Sequence, residues 1–178
     1  MKLVARKLSM CLAALCFAAV SGVVAQEKKA AAKPVTTEFK NGEGQTVGTA
    51  TLSEAPHGVK IKLDMKGLPA GDHSIHIHQV AKCEAPDFKS AGPHFSPAMA
   101  AGHDHGSAPA GDIPDFMLIV AADGSAHVSV VAPNVTLGDE SNSVFSNGGT
   151  SIVIHAVAAP GSSGSPARIA CAVIKKPE

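Results

Sequence analysis

No excess of basic charge marks this 178-residue chain, in which 15 Lys and Arg stand against 15 Asp and Glu. Nucleic-acid binding needs a clustered basic surface to neutralise phosphates, so that class of partner is set aside. Beyond the N-terminal stretch no apolar run approaches the roughly 20 residues needed to span a bilayer, and the mature chain is expected to have no membrane span. No segment of useful length repeats its apolar residues at helical period, and no internal repeat is evident. Cysteine is scarce as well: Cys11, Cys16, Cys83 and Cys171 are all there are.

The start of the chain explains part of this inventory. Lys2, Arg6 and Lys7 precede an apolar stretch from Leu8 to Val24 that ends in Val23-Val24-Ala25, the small-residue pattern of a secretory cleavage site. Residues 1–25 are therefore expected to be a signal peptide cut near Ala25, delivering a secreted or periplasmic protein. A lipid anchor would need a cysteine at the cleavage point after small residues, whereas Cys16 follows Leu15. Cleavage leaves 12 basic against 15 acidic residues, a net charge near −3. It also leaves Cys83 and Cys171 as an even pair in an oxidising compartment, for which one disulfide is the economical reading. Such a bond closes a long loop and is worth on the order of 4 kcal/mol in the chain-entropy treatment.

Residues 26–34 (QEKKAAAKP) lack an apolar face and read as a flexible tether. Residues 35–178 are then one domain, long enough to bury roughly 68% of its unfolded surface. It needs no metal simply to fold, so a metal site in it would be functional. Short β-rich runs punctuated by Gly, Pro, Asn and Asp fall at 35–41, 46–53, 58–66, 72–79, 115–122, 125–132, 150–157 and 168–174. Val59, Ile61, Leu63 and Met65 alternate with Lys60, Lys62 and Asp64, the pattern of a half-buried antiparallel strand. Gly124 suits a hairpin turn between the fifth and sixth runs. The expected class is all-β: an eight-stranded antiparallel Greek-key barrel or sandwich. Two long connections, 80–114 and 133–149, are candidates for functional loops.

Six of the nine histidines lie between 73 and 105. In Asp72-His73-Ser74-Ile75-His76-Ile77-His78 the strand period puts His76 and His78 on one face and Ile75 and Ile77 on the other. Their Cα atoms would be about 6.6 Å apart, close enough for both rings to reach one metal ion. Alone, this pattern equally describes two polar residues on a solvated face.

The surrounding motifs change its weight. Gly67-Leu68-Pro69-Ala70-Gly71-Asp72-His73, the histidine pair, Gly92-Pro93-His94-Phe95, Ile152-Val153-Ile154-His155 and Arg168-Ile169-Ala170-Cys171 occur in order. Over residues 35 to about 175 the chain resembles the copper/zinc superoxide dismutases. The resemblance implies copper held by His76, His78, His94 and His155, with superoxide converted to oxygen and hydrogen peroxide. It implies that His94 bridges two metals and carries a proton, that Arg168 attracts the superoxide anion, and that Cys83 is bonded to Cys171. It also allows a homodimer. Four imidazoles in tetragonal array suit Cu(II) and tolerate Cu(I), so the ligand chemistry agrees. A copper-buffering protein on the same barrel, with little turnover, is the alternative; the enzyme alone needs Arg168 beside an open position.

The match departs at zinc. Gly111-Asp112 supplies the family's aspartate, but Pro109 stands three residues before it, where a histidine is expected. Three readings stay open: a copper-only centre, a rearranged zinc site built from His94, His103, His105 and Asp112, or a solvated His-rich loop. The segment Ala156 to Ala167 contains no charge and lacks an aspartate that would link the two metal sites. Ser74 and Ala81 also stand where the signature has small Gly-type residues. His73 is expected to make a structural hydrogen bond, and His57 and His127 to lie at the surface.

Overall fold

A computed structural model of the chain describes residues 32–97, 108–157 and 165–178. The signal-peptide and tether assignments, up to residue 31, lie outside the described residues, as do His103 and His105. The expected alternation is realised in full in β3 (Gly58–Met65), where Val59, Ile61, Leu63 and Met65 are buried and Lys60, Lys62 and Asp64 face water. β3 pairs along its length with β2 (Thr46–Ala55), and β2 in turn with β1 (Val35–Asn41). Period-two burial makes this register costly to shift, because a one-residue slip would exchange core and solvent faces.

The remaining strands are β4 (Gly71–His73), β5 (Ile75–His78), β6 (Leu118–Val120), β7 (Ala126–Ala132), β8 (Thr150–His155) and β9 (Arg168–Ile174). Seven form one antiparallel sheet in the order β5-β8-β9-β1-β2-β3-β7, while β4 pairs with β6. Neighbours such as β1 and β9, β3 and β7, and β5 and β8 are far apart in sequence, the mark of Greek-key connectivity. The sheet curls around Phe39, Leu52, Ile61, Leu63, Ile77, Phe95, Leu118 and Ile152, all essentially inaccessible to water. Among the described residues no helix is long and apolar enough to cross a membrane.

Six of the expected runs differ in extent, four of them by only one or two residues at an end, and the count is nine rather than eight. The run 72–79 divides at Ser74: its first part serves β6 and its second part β8. One stretch of chain thereby turns a barrel corner, and the Ser74 carbonyl accepts the His155 N–H there. The run 115–122 contracts to three residues because Pro114 precedes it and Asp115 adopts φ 55, outside strand geometry. The Gly124 turn closes as expected, with Ala121 N–H donating to the Ser125 carbonyl.

The long connection between β5 and β6 is anchored at both ends. The Cys83–Cys171 disulfide, with Cα atoms 5.6 Å apart, ties its first part to β9. A small separate core of Phe88, Ala91, Val153 and Cys171, with Cys83 packed on it, lies beneath this loop on the outer face of β8 and β9. Further along, Gly111 accepts from Ile77 N–H and donates to the Phe95 carbonyl, stitching the end of the loop to β5. A Cβ on Gly111 would collide with the Ile77 carbonyl oxygen and crowd the Phe95 nitrogen, both backbone atoms that cannot swing aside. Gly111→Ala is therefore expected to lower stability by about 1–3 kcal/mol, the range of overpacking. Guanidinium unfolding midpoints of the two proteins measure this; equal midpoints would show that the loop is not clamped at Gly111.

Candidate metal centre

Burial of the inner residues of β5, Ile75 and Ile77, turns His76 and His78 to the outer wall of the barrel. That wall is not solvated here. The Gly92–Phe95 segment lies against β5, joined by an antiparallel bridge between His78 and His94, so His78 is fully buried. His155, at the end of β8 where the register shifts, is 4% exposed. One ring nitrogen from each of His76, His78, His94 and His155 lies within 4.8 Å of the other three. The rings of His76 and His94 stack at 4.1 Å, and those of His78 and His155 at 5.4 Å.

Hydrogen bonds settle which nitrogens face one another. A carbonyl or carboxylate oxygen can only accept, so the ring nitrogen opposite it must carry the proton. His78 Nδ1 donates to the Gly92 carbonyl at 2.9 Å, His155 Nδ1 to the Pro166 carbonyl at 3.3 Å, and His94 Nδ1 to Asp112 Oδ1 at 2.6 Å. In neutral rings the Nε2 atoms then present lone pairs. Those of His78 and His155 are 3.3 Å apart, two acceptors with no proton to share. His76 Nδ1 is buried and has no hydrogen-bond partner. Buried polar atoms in a folded protein are nearly always partnered, and the missing partner that satisfies all four nitrogens is a cation. The described donor set is nitrogen alone, which suits copper or zinc better than magnesium or calcium.

Burial favours the neutral, ligating form of three of the rings, His76, His78 and His155. Burial lowers His76 to about 4, helped by the neighbouring His94 and His155 rings. Burial also lowers His78 to about 3, against the opposing effect of its bond to Gly92, with Arg168 adding to the depression. His155 is lowered as well, again chiefly by burial.

Arg168, the first residue of β9, closes one side of the site. Its Nη1 donates to the Phe88 carbonyl and its Nη2 to the Gly92 carbonyl, both at 2.7 Å. An open cleft of about 430 Å³ is bordered by Ser74, His76, His94, Pro109, His155 and Arg168. Small solutes can therefore reach the rings and the guanidinium together. Pro109, at the position where the zinc pattern fails, lines this cleft without offering a ligand.

The other histidines follow the blander reading. His73 is buried, with Nδ1 at 2.8 Å from the His155 carbonyl and Nε2 at 2.8 Å from that of Pro69. His127 pairs across strands with Asp64 in the open, and His57 is exposed. Sequence reasoning missed the two carbonyls that hold Arg168 and the direct contact between His94 and Asp112. Backbone acceptors carry no side-chain signal, and Asp112 was legible as a metal ligand rather than as a hydrogen-bond partner.

A Greek-key barrel with four convergent imidazoles on its outer wall, under a disulfide-tethered loop, defines a β-barrel metalloprotein with a copper-type donor set. The comparisons with known proteins agree. The family described as copper/zinc superoxide dismutase (SODC) matches residues 46–174, and the chain belongs to that family. It is 38% identical over 149 residues to a Cu-Zn superoxide dismutase of Caulobacter vibrioides, covering 79% of this chain and 84% of that protein. A second Cu-Zn superoxide dismutase, from Aquifex aeolicus, is 38% identical over 167 residues, 88% of this chain and 92% of its own. Among solved structures, a double mutant of a SOD-like protein from Bacillus subtilis is similar at TM-score 0.68 and 31% identity, covering 79% of this chain and 97% of that one.

The depressed histidines predict how the metal-free protein responds to acid. Each ring is neutral when folded but gains a proton near 6.5 when unfolded, so between that value and about 4 the unfolded chain binds more protons. Stability of the metal-free protein is thus expected to be level above pH 7 and to fall as pH drops from 6.5 towards 4. A His78→Phe variant, with one fewer titrating ring, should lose less. Urea midpoints across this range decide; a parent that is as stable at pH 4.5 as at pH 7 would contradict buried neutral rings.

Proposed function

We propose that the chain is an exported superoxide dismutase in which His76 Nδ1 and the Nε2 atoms of His78, His94 and His155 hold copper. The observation that carries this is the convergence of one ring nitrogen from each of the four histidines within 4.8 Å, with a buried, unpartnered His76 Nδ1 and the Nε2 atoms of His78 and His155 opposed at 3.3 Å. Copper bound there supplies one-electron chemistry: one superoxide is oxidised to oxygen, and a second takes up the electron and two protons to give hydrogen peroxide. The residues of this chain provide the rest. The carbonyls of Gly92 and Pro166 and the carboxylate of Asp112 fix the tautomers and orientation of three rings, a contribution that usually matters to metal affinity. His94 is one-third exposed and faces the cleft, so its Nε2, when not coordinated, can take a proton from solvent and pass it to a reduced oxygen species, while Asp112 keeps the ring oriented through Nδ1. Arg168 offers a permanent positive charge at the lip of that cleft, where a small monoanion can be drawn in.

Export fits the basic and apolar start of the sequence and the Cys83–Cys171 bond, which needs an oxidising compartment. For a second metal, the carboxylate that would ligate zinc already accepts from His94, and Pro109 supplies no ligand. Copper at one per chain and zinc at well below one are the stoichiometries proposed. Elemental analysis of protein refolded with both metals in excess checks them, and His155→Ala is expected to weaken copper binding by at least about 100-fold. Unchanged copper affinity in that variant would remove His155 from the site.

Superoxide meets a mature chain of net charge near −3, and the described part of the neutral 156–167 segment adds no charge. Local attraction therefore falls to Arg168 and the metal. Arg168→Ser is expected to lower kcat/KM for superoxide by about tenfold at unchanged copper content, and to flatten the slowing of the reaction by added salt. Equal rates and equal salt dependence would favour a copper-buffering protein instead.

A further inference from the structure

Phe88 departs from ordinary backbone behaviour. It adopts φ 53 and ψ 22, the left-handed region, at the head of the short 3-10 turn over Lys89–Ala91. For a bulky residue this conformation is uncommon and strained, and it persists where surrounding contacts over-determine it. Those contacts are visible. The Phe88 ring is fully buried in the small core with Ala91, Val153 and Cys171, outside the main core of the barrel. Its N–H donates to the Glu84 carbonyl and its own carbonyl accepts from Ala91 N–H. The same Phe88 carbonyl accepts Arg168 Nη1 at 2.7 Å, while Gly92, at the other end of the turn, accepts Nη2 at 2.7 Å.

We propose that Phe88 is a positioning residue for Arg168: its buried ring locks a left-handed backbone that aims the Phe88 carbonyl at the guanidinium and sets the direction of its charge. Among the described residues, both hydrogen-bond acceptors of the Arg168 guanidinium are backbone oxygens of this one turn. A loop that relaxed at Phe88 into the ordinary right-handed region would rotate the carbonyl and leave Arg168 held from Gly92 alone. The consequence for superoxide rests on the role given to Arg168 above; the positional statement does not.

Nitrogen-15 NMR of the Arg168 guanidinium in the metal-free protein separates the two. In the parent, two anchored Nη groups should give distinct signals slowed in rotation. Phe88→Ala, which removes the ring, and Phe88→Val, whose branched Cβ disfavours positive φ, should average them, whereas Phe88→Leu, apolar and unbranched at Cβ, should keep them distinct. A folded Ala or Val variant with the parent pattern would overturn the inference, and the Val variant serves if the Ala variant does not fold. With copper bound, Phe88→Ala should lower kcat/KM by about threefold, the loss of one hydrogen bond, with no further loss when added to Arg168→Ser. An additive loss would mean that Phe88 acts by another route. An Arg168→Ser variant with the parent's kcat/KM would remove the steering role while the NMR result still decides the positioning.

Discussion

The carbonyl oxygen of Gly92 is the point on which the site turns. It accepts from His78 Nδ1 at 2.9 Å and from Arg168 Nη2 at 2.7 Å, so one backbone atom sets both the tautomer of an inner ring and the place of the cleft's cation. Gly92 can do this because its φ of 75 is open to glycine, and because a side chain there would press on Val80. The disulfide and the small core under the loop keep that carbonyl in place, since they bind the loop to β8 and β9 independently of the main core.

Four buried or half-buried imidazoles are costly to assemble without a cation. Desolvation favours the neutral form of His76, His78 and His155, and the Nδ1 bonds of His78 and His155 turn their Nε2 lone pairs towards one another, where they repel. The barrel tolerates this because the inner faces of β5 and β8 are occupied by Ile75, Ile77, Ile152 and Ile154, which fix the strands that carry His76, His78 and His155. Stability and function thus sit on opposite faces of the same strands. The inner residues pack the core; the outer histidines turn ring nitrogens towards one another.

His94 is oriented by a side chain rather than by a backbone oxygen. Its Nδ1 donates to Asp112 Oδ1 directly, at 2.6 Å, and the cleft beside it is lined by Pro109. A carboxylate hydrogen bond orients an imidazole much as a second cation would, while leaving its other nitrogen basic. Gly111 brings Asp112 to this position through its close approach to Ile77 and Phe95.

Much of this was legible in the chain itself. Alternation in Val59–Met65 is enough for a half-buried strand, period two is enough to put His76 and His78 on one face, and family motifs single out His94, His155, Arg168 and the cysteine pair. Strand division at Ser74 was not legible, because it depends on two different neighbours competing for one run, and the short β6 depends on a backbone angle at Asp115. Residue types and their order determined the class of fold and which residues could serve as donors, since these follow from side-chain chemistry and local period. Tertiary structure alone decided which nitrogen of each ring is free, how deeply His78 is buried, and what holds Arg168. Those depend on groups brought together from distant segments, the Asp112 carboxylate for His94 and backbone oxygens for His78, His155 and Arg168, and a backbone oxygen is the same in every residue.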